Sequence, residues 1–117
     1  MRKIHSPLML IFLLVAGFFI AGCNKVAPPV SVSKRDSVFG QGIVVVVTNT
    51  SADHLHEVEV VITSPDNEVK TFNTPTLKPH DSIDVGWAKL DGWPIPEGSS
   101  VQVSCKGFLA SSGPWKI

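Results

Sequence analysis

The chain has 117 residues, with Lys+Arg and Asp+Glu both at 10 and a formal net charge of zero. That length leaves room for one ordinary domain once a targeting segment is subtracted, and the charge balance excludes a basic face for nucleic acid and an acidic tail. Two cysteines are too few for a disulfide framework or, without histidine help, for a zinc site.

Arg2 and Lys3 form a short positive start, and residues 8–20 then read LMLIFLLVAGFFI, 13 residues without a charged or polar side chain. A helix crossing the hydrocarbon core needs about 20 apolar residues, whereas the apolar region of a signal peptide needs about 7–15. The run therefore predicts a cleaved signal peptide and not a permanent span. It ends in Ile20-Ala21-Gly22-Cys23, which resembles the lipobox of bacterial lipoproteins: an aliphatic residue, two small ones and a cysteine. The resemblance implies that the Cys23 thiol takes a diacylglyceryl group, that residues 1–22 are removed, and that the new amino terminus is acylated. Two or three acyl chains hold a protein on a bilayer where one binds only reversibly. By resemblance to the sorting rule of Gram-negative lipoproteins, Asn24 favours the outer membrane, with the domain facing the periplasm. Cleavage leaves 8 basic and 10 acidic side chains, a net of −2, and no electrostatic claim on nucleic acid or anionic lipid. Residues 23–29 read as the lipidated cysteine and a short tether, extended by Pro28-Pro29.

Residues 30–117 alternate with a period of two. Val58, Val60 and Ile62 share one face against Glu57 and Glu59. Ile83, Val85 and Trp87 do the same against Ser82, Asp84 and Gly86, as do Val101, Val103 and Cys105 against Gln102, Ser104 and Lys106. Such alternation marks strands with one buried and one wet face. Residues 43–47, IVVVV, are apolar throughout and β-branched, which predicts a central strand covered on both sides. Turn signals fall at residues 49–53, at Ser64-Pro65-Asp66-Asn67 with proline second, at 78–81 and at 94–98. Six or seven short strands so punctuated predict an antiparallel β-sandwich, and no window reads as an amphipathic helix.

The stretch from residue 43 to 108 also resembles small immunoglobulin-like domains of bacterial envelope proteins, of the FxLYD type. The residues that carry the likeness are Val46-Val47-Thr48-Asn49-Thr50-Ser51, then Leu55-His56-Glu57-Val58-Glu59-Val60, then Leu77-Lys78-Pro79-His80-Asp81-Ser82 ahead of a strand ending at Trp87, and Gly98 leading into Val101-Gln102-Val103. The naming motif itself is absent, since Val61-Ile62-Thr63-Ser64-Pro65 stands in its place. The resemblance implies an immunoglobulin-like sandwich and a role as interaction or spacer module, with no catalytic residue. In so small a core the large side chains matter most, and Trp87, Trp93, Phe72 and Phe108 are the expected fillers, with Trp93 folding over one open end.

Chemistry-bearing residues are few. Cys105 is the thiol left once Cys23 is acylated; beside Val101 and Val103 it reads as a buried small hydrophobe, against the alternative of a reactive thiol or an intermolecular bridge. His54 and His56, with Asp53 before them and His80 elsewhere, are weak metal candidates, because two imidazoles at alternate strand positions share a face. Trp93 and Trp115 are weak binding candidates as an aromatic platform if exposed, Trp115 being either a last edge strand or a loose tail. Asn49-Thr50-Ser51 matches a glycosylation acceptor formally and a backbone-bonded turn more simply. No nucleophile elbow, zinc-protease helix or phosphate loop is present. The expectation is a non-enzymatic lipoprotein without cofactor, held on the bilayer through Cys23, serving as binding or accessory module to an envelope protein partner. The alternative is a periplasmic ligand or metal binder using the His54/His56 region or the tryptophans.

Overall fold

The computed structural model describes residues 26–38 and 41–117. The expected signal peptide, residues 1–22, and the expected lipidation site Cys23 lie outside the described residues. Seven strands follow in chain order: β1 Val30–Asp36, β2 Ile43–Asn49, β3 Leu55–Thr63, β4 Val69–Leu77, β5 Ser82–Val85, β6 Ser100–Ser104 and β7 Ser112–Lys116. They form an antiparallel β-sandwich of immunoglobulin-like plan, with β1-β2-β5 in one sheet and β4-β3-β6-β7 in the other. The fourth strand pairs with β3 and not with β5, the opposite choice from a constant-type immunoglobulin domain.

The alternating residues of β3 and β6 pack inward as the pattern predicts. Val58, Val60, Ile62, Val101 and Val103 lose all exposure and face Val45, Val47 and Val85 of the other sheet. Each such side chain contributes about 1.5–3 kcal/mol when buried. A one-residue slip of β3 would turn its inward set to water, so the register is strongly fixed. The hairpin turn is also as read: the Asn67 N–H donates to the Ser64 carbonyl at 2.9 Å, and the Ser64 hydroxyl donates to Asp66 Oδ1.

Three expectations are corrected. Residues 43–47 are not covered on both sides. Among the described residues no third layer lies over the outer face of β2; Val44 is shielded there by the turn at Gly86, while Val46 is only half-buried. Trp87 does not point inward with Val85, because β5 ends at Val85 and the chain leaves the sheet at Gly86 into a short 3-10 turn, Trp87–Leu90. Leu90 is the residue of that turn that enters the core. Nor do Phe72, Trp93 and Phe108 fill the centre. They are half-buried at its rim, Trp93 lying over one end of the sandwich as read, and the interior is aliphatic, including Ile95 from the Pro94-Ile95-Pro96 segment. Sheets about 10 Å apart interdigitate β-branched side chains closely, and the larger rings are left to the margins.

One irregularity positions the candidate site. Glu57 has left-handed backbone (φ 50°), and neither it nor Pro75 opposite appears in the otherwise continuous β3–β4 register. Proline has no N–H to give, and β4 is an edge strand where this is tolerated. The twist at Glu57 resets the alternation, so Leu55 is buried although it lies three residues from Val58, and His56 is turned out to solvent.

Candidate functional site

One end of the sandwich gathers the starts of β1, β3, β5 and β7 and the loops that lead into them. The approach to β1 is strapped down there. The Pro29 carbonyl accepts from both the N–H and the hydroxyl of Thr50 (3.0 and 2.9 Å), and the Val26 carbonyl accepts from the Ala110 N–H at 2.6 Å. Pro28 is buried. Residues 26–29 are thus bonded to the sandwich, and residues 24–25 lie between Cys23 and the first bonded residue.

Beside this strap lies a cleft of about 490 Å³, lined among others by Ala27, Asp53, His54, His56, Lys106 and Phe108. His54 and His56 stack, with ring centroids 6.3 Å apart and planes 12° from parallel. His80 occupies the β4–β5 turn in left-handed conformation and does not line the cleft. Among the described residues, no group of three His, Cys, Asp or Glu side chains is placed to hold a metal ion. Two stacked imidazoles alone do not make a tetrahedral site.

The chain matches no family model, no curated protein and no solved structure. The site must speak for itself. Among the described residues no helix is long and apolar enough to cross a membrane.

Cys105 is 7% exposed and packs in the core cluster. Burial pushes its thiol up to about 11, which leaves almost no thiolate near neutral pH. This is the environment of an inert cysteine. Trp93 packs on the core with its ring N–H donating to Glu68 Oε1 at 3.3 Å, at the end of the sandwich opposite the cleft. Trp115 belongs to edge strand β7, pairs with Val101, packs on the core, and donates to Ser112 Oγ at 3.1 Å. Both indoles thus have polar partners and apolar neighbours within the fold, and the histidines lie at the opposite end from Trp93.

The turn at residues 49–51 bonds its local backbone as read, and two features of this end go beyond the sequence reading. Asn49 is fully buried: its Nδ2 reaches the carbonyls of Asp53, Leu77 and Lys78 (2.7, 3.1 and 3.1 Å), and its Oδ1 accepts from the N–H and hydroxyl of Ser51 (2.9 and 2.7 Å). A folded chain offers no glycan acceptor at such a side chain. The second is the loop between β6 and β7, where Leu109 is 82% exposed. The apolar run Phe108-Leu109-Ala110 after Gly107, in a segment too short for another strand, was the available signal.

Proposed function

We propose that the protein is a lipid-anchored bacterial lipoprotein whose immunoglobulin-like sandwich serves as a non-enzymatic binding or accessory module of the cell envelope. The observation that carries this reading is Ile20-Ala21-Gly22-Cys23 placed directly behind 13 uninterrupted apolar residues and a positive start. Acyl chains on Cys23 contribute about 0.8 kcal/mol per buried methylene, so two or three make detachment negligible. The bonding of residues 26–29 into the domain supports a module held close to the membrane surface, where an envelope partner would be met. Asn24 directs it to the outer membrane, with the domain on the periplasmic side. The FxLYD-type likeness agrees with an interaction or spacer role.

Intact-mass analysis of the protein extracted from envelopes tests the anchor. The expected species begins at residue 23 and carries a diacylglyceryl group; Cys23→Ser is expected to keep residues 1–22 and to carry no diacylglyceryl group. A bare cysteine, or a serine variant still cleaved before residue 23, overturns the reading. Crosslinking from the sandwich in intact cells is expected to capture a defined envelope protein.

A second reading draws on the cleft beside the strap, where His54, His56 and Lys106 surround a space of about 490 Å³ that suits a small anionic or aromatic ligand. A ligand-dependent rise in melting temperature that His54→Ala abolishes would establish it. Zinc is expected to leave the histidine NMR signals in place.

A further inference from the structure

We propose that the loop between β6 and β7 rests on the phospholipid bilayer that holds the anchor, with Leu109 inserted at the headgroup level and Val26 beside it. This inference rests on the lipid-anchor reading and adds an orientation to it.

Position carries the inference. Cys23 precedes Val26 by three residues, so the two Cα atoms are separated by at most about 11 Å of extended chain. Val26 is bonded directly to Ala110, the neighbour of Leu109. Thr50 clamps Pro29 by two hydrogen bonds, so this end cannot swing away from the point where the chain enters the bilayer. Val26 is therefore held within about 11 Å of the anchored residue, and Leu109 adjoins the residue to which Val26 is bonded.

Exposure and charge agree with that plane being lipid. Leu109 and Val26 are 82% and 52% exposed, and both belong to this end. A single exposed leucine in water is unremarkable, and Val69 at the far end is 56% exposed too; what sets Leu109 and Val26 apart is the backbone bond from Ala110 that holds their segments together next to the anchor. The loop, residues 105–111, holds one charge, Lys106, and no carboxylate. Nothing in it repels an anionic headgroup, and the leucine side chain gains by leaving water.

Site-directed spin labelling of the lipidated full chain distinguishes the possibilities. Cys105→Ala removes the native thiol, and Leu109→Cys or Asn67→Cys supplies the labelling site at the near or the far end. Vesicles of phosphatidylethanolamine with a minority of phosphatidylglycerol serve as the bilayer. The label at 109 is expected to lose collisions with a water-soluble nickel chelate and to gain collisions with oxygen, at a depth of about 5–10 Å. The label at 67 is expected to stay aqueous. A label at 109 as open to nickel as that at 67, on protein that floats with the vesicles, overturns the bilayer contact and leaves the anchor intact. Protein that does not float and carries an unmodified Cys23 overturns both. Protection at 109 that vanishes when the protein is diluted in excess lipid assigns the surface to a second copy and overturns the proposal.

Discussion

The side-chain amide of Asn49 donates to the Leu77 carbonyl at 3.1 Å, tying the end of β2 in one sheet to the end of β4 in the other. The same Nδ2 holds the carbonyls of Lys78 and Asp53, and the Asn49 backbone N–H donates to the Asp81 carbonyl at 2.9 Å. One buried residue thereby fixes the β2–β3 and β4–β5 turns against each other. The Asp53 and Lys78 carbonyls keep second donors in the Ser51 hydroxyl and the Asp81 N–H, both at 3.1 Å, so the loss falls chiefly on the buried Leu77 carbonyl, at about 1–3 kcal/mol, and on the space the amide leaves. Asn49→Ala is expected to lower unfolding free energy by about 2–4 kcal/mol in urea denaturation, with the slope unchanged. Asn49→Asp is expected to be worse at neutral pH, since a carboxylate would face carbonyl oxygens. That confinement raises the native-state pKa of the new carboxyl, so its deficit should shrink as pH falls. A loss below about 1 kcal/mol for the alanine variant would show that the turns hold without the latch.

Gly42 shows a different constraint. Its φ is +75°, and a Cβ there would lie 2.6 Å from the Ile95 carbonyl oxygen and 2.7 Å from its nitrogen, where the two segments form backbone bridges. Gly92 has φ +85° and nothing within 4 Å of the same added atom. Gly92→Ala is therefore expected to cost only the left-handed backbone, about 1–2 kcal/mol. Gly42→Ala should cost more, because Ile95, itself fully buried, must also move. Thermal melts of the two variants make the comparison, and equal shifts would mean that the bridge yields without cost.

The strands were legible because alternation is a property of adjacent residues, and the strongest runs, residues 58–62 and 101–105, lie inward as their pattern predicts. Trp87 and Leu55 were not legible for one shared reason: the alternation breaks beside each, at the 3-10 turn that Trp87 begins in one case and at left-handed Glu57 in the other. Ile95, flanked by two prolines, reads as turn although it is a fully buried plug, since burial of an isolated side chain leaves no period. The candidate site was legible only in parts. His54 and His56 were visible as neighbours, but their approach to Ala27, Lys106 and Phe108 depends on which loops share an end, a matter of strand order that no local pattern encodes.

On the outer surface, Lys34 Nζ lies 2.6 Å from Glu97 Oε1, and both groups are open to solvent. The hydrogen bond from Lys34, and then its charge, hold the Glu97 carboxyl below its ordinary range. A carboxyl with a lowered native pKa adds stability above the ordinary carboxylate range and loses it as pH falls through the native value. Lys34→Met is expected to return the Glu97 titration, followed by carbon NMR of the carboxyl, to the ordinary range while the melting temperature barely moves, as exposed pairs contribute little. A large loss of melting temperature would show that the pair anchors β1 more firmly than its exposure implies.

Cys105 gives the opposite pH response. Its thiol is pushed up to about 11 by burial beside the Val103 strand end, with desolvation as the cause. A group whose native pKa is raised favours the folded state below its unfolded value, about 8.5 for cysteine, and that contribution is lost as pH rises towards the native value. Stability is therefore expected to fall on the alkaline side beyond what the lysines contribute, and Cys105→Ala should remove that extra slope. At neutral pH the alanine variant loses a small buried group and is expected to be about 1 kcal/mol less stable. The native thiol should resist a disulfide reagent at mildly alkaline pH and react fully on unfolding, so the labelling rate reports how often this end of the core opens. Fast labelling of the folded protein would place the sulfur in an exposed, ionised setting and reverse the assignment of Cys105 as an inert part of the core.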